Sequence, residues 1–447
     1  MTKTNPEIAV IGYGDAREFA FYFRLKKDSS NNQVHLVLLR KSCPVNDSIN
    51  VHLCNSIEQA VRITSELSPE LILVLDPKLL FGDLPVRLTE AGLNYLGPEG
   101  SAINLEKSKL FTKEVLIASG LKTPAYKVLA NTSSADGAIR TACRSLGDKI
   151  VLKSDVFLAD ANLRTSLPKN FEEAKETLAA QRAEISSQIN EDAKIFAEER
   201  ITGTELSVHI LCDGETYSIC PPTVDFKRAY DGELGPNTHG AAALAFGSGF
   251  SQSFEDKLRK EVIIPLLKYV KDHNLNYKGF LYLGFIVTDE NEIIALEINV
   301  RPGNPEALVI LSLLEGNLYG TLQKMMAGEL HVALPKWNKK LVAAAIFAMA
   351  EGYPQQAIPA PQPIINIPED RLGMNVLPHG IECGNSPTGL VVSGGRVCAM
   401  VATAQSVRSA VEKSLSLINQ ISFSGMHCRS DIAVQSRAFI SLFLENQ

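Results

Sequence analysis

Short apolar runs alternate with helix-like stretches along much of this chain, and that alternation constrains the fold more than any other feature. Glu7–Tyr13 reads EIAVIGY, broken by Gly12 and Gly14, and helix-like sequence follows through Arg24. Further apolar runs stand at Val34–Leu39 and Leu71–Leu75, with helical stretches such as Ser56–Leu67 between them. Strands separated by helices pair in parallel β-α-β units. Residues 1–104 therefore predict a doubly wound α/β domain. LGPEGSAINLEKSK, from Leu96, predicts a loop and then a helix carrying Lys107, Lys109 and Lys113.

A second α/β region follows Thr123-Pro124. It contains the strand Lys149–Lys153, a charged helix Asn170–Ile189, the strand Lys194–Glu199 and a hairpin turning at Cys212-Asp213-Gly214. Pro221–Phe250 is rich in Gly, Pro, Asn and Asp and reads as a long loop, which in a compact enzyme is often functional. A helix (Phe254–Asn274) and two strands (Gly279–Thr288, Glu292–Asn299) come next. Beyond Leu330, AAAIFAMAEGYP predicts a strand and a turn, GLVVSGGRVCAMVATA a hairpin, and Ser406–Gln420 a helix.

The chain has 447 residues, more than one compact core accommodates and enough for several packed subdomains. Its net charge of −6 gives no basic platform for nucleic acid, although a few placed cations still suffice for a phosphorylated substrate. Eight cysteines form no C-x-x-C pair, and no His cluster stands at zinc spacing, so reduced thiols are expected. MTKTNPE carries no leader pattern, and no apolar run reaches the roughly 18–20 residues of a membrane span. A cytoplasmic protein without membrane or nucleic-acid partners is the expectation.

Leu296-Glu297-Ile298-Asn299-Val300-Arg301 alternates polar and apolar residues, so as a strand it directs Glu297, Asn299 and Arg301 to one face. Two oxygen ligands with a cation beyond suit Mg²⁺ held between protein and phosphates, although a solvent-facing stripe on an edge strand has the same pattern. Lys153 closes an apolar strand, as many solvated lysines do. Phe196–Ile201 leads into Thr202-Gly203-Thr204-Glu205, a strand and loop able to meet an adenine edge and ribose hydroxyls. Asp225-Phe226-Lys227-Arg228, Asp231-Gly232 and Gly235–Gly240 join acid, bases and glycines in a segment fit for a zwitterion or phosphate, or for an ordinary surface turn. Gly12-Tyr13-Gly14 lacks the third glycine of a dinucleotide fingerprint.

The order of these motifs is more telling than any of them singly. A K-S-K-x-F-T-K helix, a strand-end lysine, a Glu-Glu hinge, D-x-K-R…D-G…G-P-N-T-x-G, a Gly-Phe-Leu-Tyr strand and E-x-N-x-R-x-G-x-P-E occur in succession. So arranged, the chain resembles the phosphoribosylamine–glycine ligases (glycinamide ribonucleotide synthetases) of the ATP-grasp superfamily. Glu351–Pro354, Ser393–Val397 and Phe423–Met426 with Arg429 and Asp431-Ile432 extend the likeness nearly to the end. The resemblance implies an α/β enzyme with an α+β ATP-grasp core. Its parts would be an amino-terminal substrate domain (1–104), a first lobe (105–195), a second lobe (196–329) and a carboxy-terminal α/β domain (330–447). It further implies Lys109 and Lys153 on ATP phosphates, Glu198 and Ile201 at the adenine, Glu205 on the ribose, and Glu297 and Asn299 on Mg²⁺ or Mn²⁺. Arg301, Lys227 and Asn237 would serve the reacting substrates. The implied reaction, in purine biosynthesis, forms an amide from small amino-acid and amine substrates through an acyl phosphate, in a monomer or homodimer.

Several stretches depart from the family pattern. After the strand-end lysine the family has a glycine flap of the kind A-D-G-L-A-A-G-K-G-V, whereas Ser154–Leu163 reads SDVFLADANL. Asp155 is kept, the glycines and flap lysine are absent, and β-carbons keep backbone amides from close approach to phosphates. G-G-R-E-H-A has become Gly14–Ala20, G-P-E reads Asp76-Pro77-Lys78, R-F-G-D-P-E reads Arg301–Glu306, and His239 enters the G-P-N-T element. These changes leave open a paralogue ligating a different amine or amino acid, or a nucleotide-binding protein without turnover.

Overall fold

A computed structural model describes residues 6–28, 33–39, 49–130, 134–156, 161–188, 194–275, 277–356, 358, 361–368 and 373–444. At the amino end, four parallel strands lie in the order Val51–Leu53, Gln33–Leu38, Glu7–Gly12, Leu71–Val74. Side chains alternate across a strand, so Ile8 and Val10 pack with Phe19 and Tyr22 of the helix Ala16–Asp28. Ala9 and Ile11 pack on the other face with Ala60 and Leu88 from the helices Ile57–Leu67 and Leu84–Glu90. The doubly wound reading of this region holds.

A second, antiparallel sheet has the order Tyr126–Leu129, Ile195–Glu199, Ile150–Ser154, Thr165–Ser166. The helices Ala135–Leu146 and Phe171–Gln188 supply its apolar cover. The division expected at 195/196 falls inside the strand Ile195–Glu199, and both neighbours of that strand belong to this first lobe. Asp155, at the end of the strand Ile150–Ser154, accepts hydrogen bonds from Ser108 Oγ and Leu110 N at 2.9 and 2.8 Å. Ser108 is extended and caps Lys109–Ala118, so the expected lysine helix is broken after Lys107 into two pieces.

The largest sheet has nine strands. Its order is Ile293–Asn299, Gly279–Val287, Thr204–Cys212, Thr223–Tyr230, Leu234–Phe246, Val342–Met349, Arg396–Ala404, Met374–Pro378, with Tyr217–Ile219 beside Thr204–Cys212. It crosses the division expected at 329/330, so the second lobe and the carboxy-terminal region share one sheet. Ala243, Ala245, Ala343 and Ala345 give it a shallow surface on which the helix Glu306–Ser312 packs closely.

Pro221–Phe250 is not the expected loop. Two long antiparallel strands occupy most of it, with register shifts between Phe226 and Arg228 and between Arg228 and Tyr230. Gly235 and Gly240 have φ of 80° and 103°, which lets the bulged strand turn, and Ala241–Phe246 is wholly buried. Nor do Leu390–Val392 and Arg396–Ala404 pair as a hairpin. The former joins Gln362–Pro363 and Ile381–Cys383 in a separate small sheet. Six cysteines are free thiols, whereas Cys383 is disulfide-bonded, contrary to the all-reduced expectation; Cys43 lies outside the described residues. No helix among the described residues is long and apolar enough to cross a membrane.

Candidate active site

Lysines line the cleft between the two sheets, Lys153 from the first lobe and Lys109 and Lys113 from the helix Lys109–Ala118, whose apolar side packs with the large sheet. Lys153 stands opposite Thr165 on one side and Phe196 on the other. Its ammonium lies 2.6 Å from Glu198 Oε2, and that of Lys113 lies 2.7 Å from Glu198 Oε1. Glu198 is 1% exposed. Its carboxylate is thus committed to two lysines, whereas the adenine contact expected of this hinge is one for backbone groups. Glu198 neutralises and aligns the cations, and the chain following it, through Ile201 to the strand Thr204–Cys212, passes from the first lobe to the second. Lys109 is one helical turn before Lys113 and so on the same face. Burial lowers the Lys109 pKa, Glu297 opposes that shift, and Lys153 and Arg164 add to it.

From the second lobe, Glu297 Oε2 comes within 3.8 Å of Lys109 Nζ. Glu297 lies directly across the strand pair from Gly284, where a β-carbon would meet Glu297 Cγ at 2.9 Å. The absent side chain makes room for the carboxylate. Asn299 Nδ2 donates to Glu297 Oε1 at 3.3 Å, so the two residues are neighbours on one face. Burial raises the Glu297 carboxyl, but Lys109, Lys227 and Lys153 outweigh it and hold it down at about 2. An ionised carboxylate beside an amide oxygen is a donor set that fits a hard divalent cation. Lys227 bonds Glu205 at 2.9 Å and lies 3.9 Å from Asp225. Lys109, Lys153, Lys227, Glu205, Glu297 and Asn299 thus share one cleft.

Arg301 lies past the end of its strand. Glu106 holds it by Nε and Nη2 at 3.0 and 2.8 Å, and also accepts from Val300 N at 2.9 Å. Burial lowers the Arg301 pKa, but Glu106 in particular prevails and raises it. Asn237 is half-buried opposite Arg228 in the hairpin. Beneath this end of the cleft, neutral His209 accepts from Gly303 N at 3.1 Å and stacks on Tyr282 with centroids 4.7 Å apart. Burial, and Arg301 secondarily, hold its imidazole at about 3. In the amino-terminal loop, Glu18 accepts from Gly14 N and Asp15 N at 2.6 and 2.9 Å, filling the nest with the chain's own carboxylate.

The sequence reading assigned no roles to Lys113, Glu106, His209, Gly284 or Glu306. Two of them carried a signal, Lys113 by its spacing of four from Lys109 on a helix and Glu306 as the end of the E-x-N-x-R-x-G-x-P-E motif; the others depend on contacts between distant segments.

Family models for phosphoribosylglycinamide synthetase match twice, the ATP-grasp (A) domain over residues 107–307 and the C domain over 343–435. A phosphoribosylamine–glycine ligase of Vibrio cholerae is 28% identical over 436 residues, 97% of this chain and 99% of that one. The fold is that of a crystal structure of phosphoribosylamine–glycine ligase from Thermotoga maritima, at TM-score 0.78 and 24% identity over 95% of this chain and 99% of that one. A Campylobacter jejuni biotin carboxylase, solved as a β-γ-ATP complex, shares it at TM-score 0.71 and 14% identity, over 97% of this chain and 96% of that one. With the ATP-grasp domain matched over the residues that build the cleft and the C domain matched after it in the same chain, the protein belongs to the phosphoribosylglycinamide synthetase family of ATP-grasp ligases.

Proposed function

We propose that this ligase joins glycine to phosphoribosylamine, converting ATP to ADP and phosphate and yielding glycinamide ribonucleotide for purine biosynthesis. One observation carries the reading: Lys153, on the strand Ile150–Ser154 of the first lobe, and Lys109, on a helix packed against the second, converge on Glu297 of the second lobe, Lys109 at 3.8 Å. That is the charge arrangement a metal–triphosphate requires.

A carboxylate resists attack by an amine because oxide would have to leave. Transfer of the γ-phosphoryl group to it creates an acyl phosphate, from which phosphate leaves readily. Lys109 and Lys153 stabilise charge on the moving phosphoryl group, the dominant contribution in such transfers. Glu297 and Asn299 would hold Mg²⁺ or Mn²⁺, which when bound neutralises and orients the phosphates. Glu205 bonds the ribose, Ile201 packs against the adenine, and Lys227 with Asn237 and Arg301 holds the substrates. Closure of the lobes keeps water from the acyl phosphate.

The charge change at Asp76-Pro77-Lys78 favours one second reading, a related amine in place of phosphoribosylamine. The deciding experiment supplies Mg·ATP, glycine and phosphoribosylamine generated in place, and follows ADP and amide. Glycinamide ribonucleotide formed in step with ADP supports the proposal. ADP formed only with other amines supports the second reading, and the absence of ADP formation with every substrate tried, despite nucleotide-induced thermal stabilisation, would overturn both.

A further inference from the structure

Arg164 ends the short helix Ala161–Arg164 and immediately precedes Thr165, the residue paired with Lys153. It therefore stands at the returning foot of the segment that replaces the glycine flap, one residue from the partner of a phosphate lysine. Its guanidinium reaches over the cleft, Nη2 lying 2.7 Å from Nε2 of His239 in the strand Leu234–Phe246 of the opposite lobe.

His239 is itself braced. Its Nδ1 is 3.2 Å from Tyr353 Oη, and its backbone N–H donates to the same oxygen at 3.2 Å. Arg396 donates to its carbonyl at 2.8 Å. If Nε2 accepts from Arg164, the ring proton sits on Nδ1 and is donated to Tyr353. Although the ring edge opens to the cleft, burial first, then Arg396, Arg164, Lys78 and Arg301, hold the imidazole in its neutral form, near a pKa of about 3. A neutral, oriented ring can position a guanidinium without cancelling its charge.

Resting on the ligase reading, we propose that Arg164 is a nucleotide-binding residue that contacts the terminal phosphate of ATP, with His239 and Tyr353 as its positioning brace. The flap of this chain has β-carbons where close backbone approach would be needed, and a side-chain cation from the same segment reaches phosphate without that approach. A guanidinium presents donors along more than one edge, so it can meet a ring nitrogen on one side and phosphate oxygens on another. Electrostatics agree with this placement, since Arg164 is among the cations acting on Lys109.

The test is calorimetric titration of the full chain with Mg·ATP and with Mg·ADP. Arg164→Ala should weaken ATP by about tenfold or more and leave ADP within about twofold, because only ATP carries the terminal phosphate. Arg164→Lys should restore part of the preference, and His239→Gly should lower it less than Arg164→Ala does. An unchanged ATP-to-ADP ratio in Arg164→Ala, whether both affinities hold or both fall together, reduces Arg164 to a lobe-to-lobe contact and overturns the proposal. Such a result beside a wild-type protein that makes amide leaves the ligase reading intact. A wild-type chain that binds neither nucleotide overturns both.

Discussion

Among single residues, Glu297 and Glu306 carry opposite electrostatic burdens. Three lysines keep Glu297 ionised at about 2 against the effect of its burial, which is what an oxygen ligand to a hard cation needs. Glu297→Gln preserves the shape and removes the charge. It should lower the affinity for Mg·ATP by about tenfold or more, on the scale of a lost charge-assisted contact, and leave nucleotide binding in EDTA unchanged or tighter; titrations with and without the metal decide, and equal metal dependence in both proteins would refute the assignment. Glu306 is 3% exposed. Burial, then Asp225, push its carboxyl up to about 7 from the ordinary 4.5. The folded state therefore keeps a proton that the unfolded chain releases as pH rises through this window, so stability is present below 4.5 and declines towards 7. In metal-free protein, the unfolding free energy of the wild type should fall relative to that of Glu306→Gln over that range, by on the order of 1–3 kcal/mol in denaturant titrations. A difference independent of pH would remove Glu306 from the titrating groups. Neither behaviour was legible in the sequence, because the groups that set it come from remote segments.

At the level of elements, the strand carrying Glu297 works because its neighbour withholds a side chain. A β-carbon at Gly284 would stand 2.9 Å from Glu297 Cγ and displace that side chain from the lysines. Gly284→Ala should raise the KM for Mg·ATP several-fold with little change in Tm, and the Gly284→Ala, Glu297→Gln double variant should be no worse than Glu297→Gln alone. Additive losses would show that Gly284 acts through something else. The apolar runs made these strands legible to within a residue or two: Glu292–Asn299 was expected, and Ile293–Asn299 is found. The hairpin Thr223–Phe246 was not legible as strands. Its cleft-facing residues are charged, and its glycines and proline, which here permit bulges, have the composition of a loop. The buried run Ala241–Phe246 was the one signal available for it. The convergence of Lys109, Lys153, Glu297 and Asn299 could be inferred only from motif order, whereas the occupation of Glu198 by Lys113 and Lys153 required the fold.

Across the whole molecule, the carboxy-terminal region is coupled to the site through the shared sheet and through Arg429. The guanidinium of Arg429 is fully buried and bonds Asp431 Oδ1 and Glu233 Oε1, each at 2.7 Å, and the Arg228 carbonyl at 3.1 Å. Asp431 accepts from Gly232 N at 2.8 Å, and Ser430 N donates to Asp231 at 2.8 Å. Chain from the far end of the sequence thus clamps the tip of the hairpin that carries Asp225, Lys227 and Asn237. Removing one partner of a buried ion pair typically costs 3–5 kcal/mol, but Glu233 is half-exposed and recovers solvation, so Arg429→Ala should cost about 1–3 kcal/mol. Because Lys153 lies on another sheet and Lys109 on a helix away from this hairpin tip, the variant should raise the KM for the amino acid and amine more than that for ATP. Arg429→Lys keeps a charge without the planar fork and should fall between the two. Thermal melts together with KM for each substrate decide the matter: lower Tm with all three KM values unchanged would make the clamp a structural tie and nothing more.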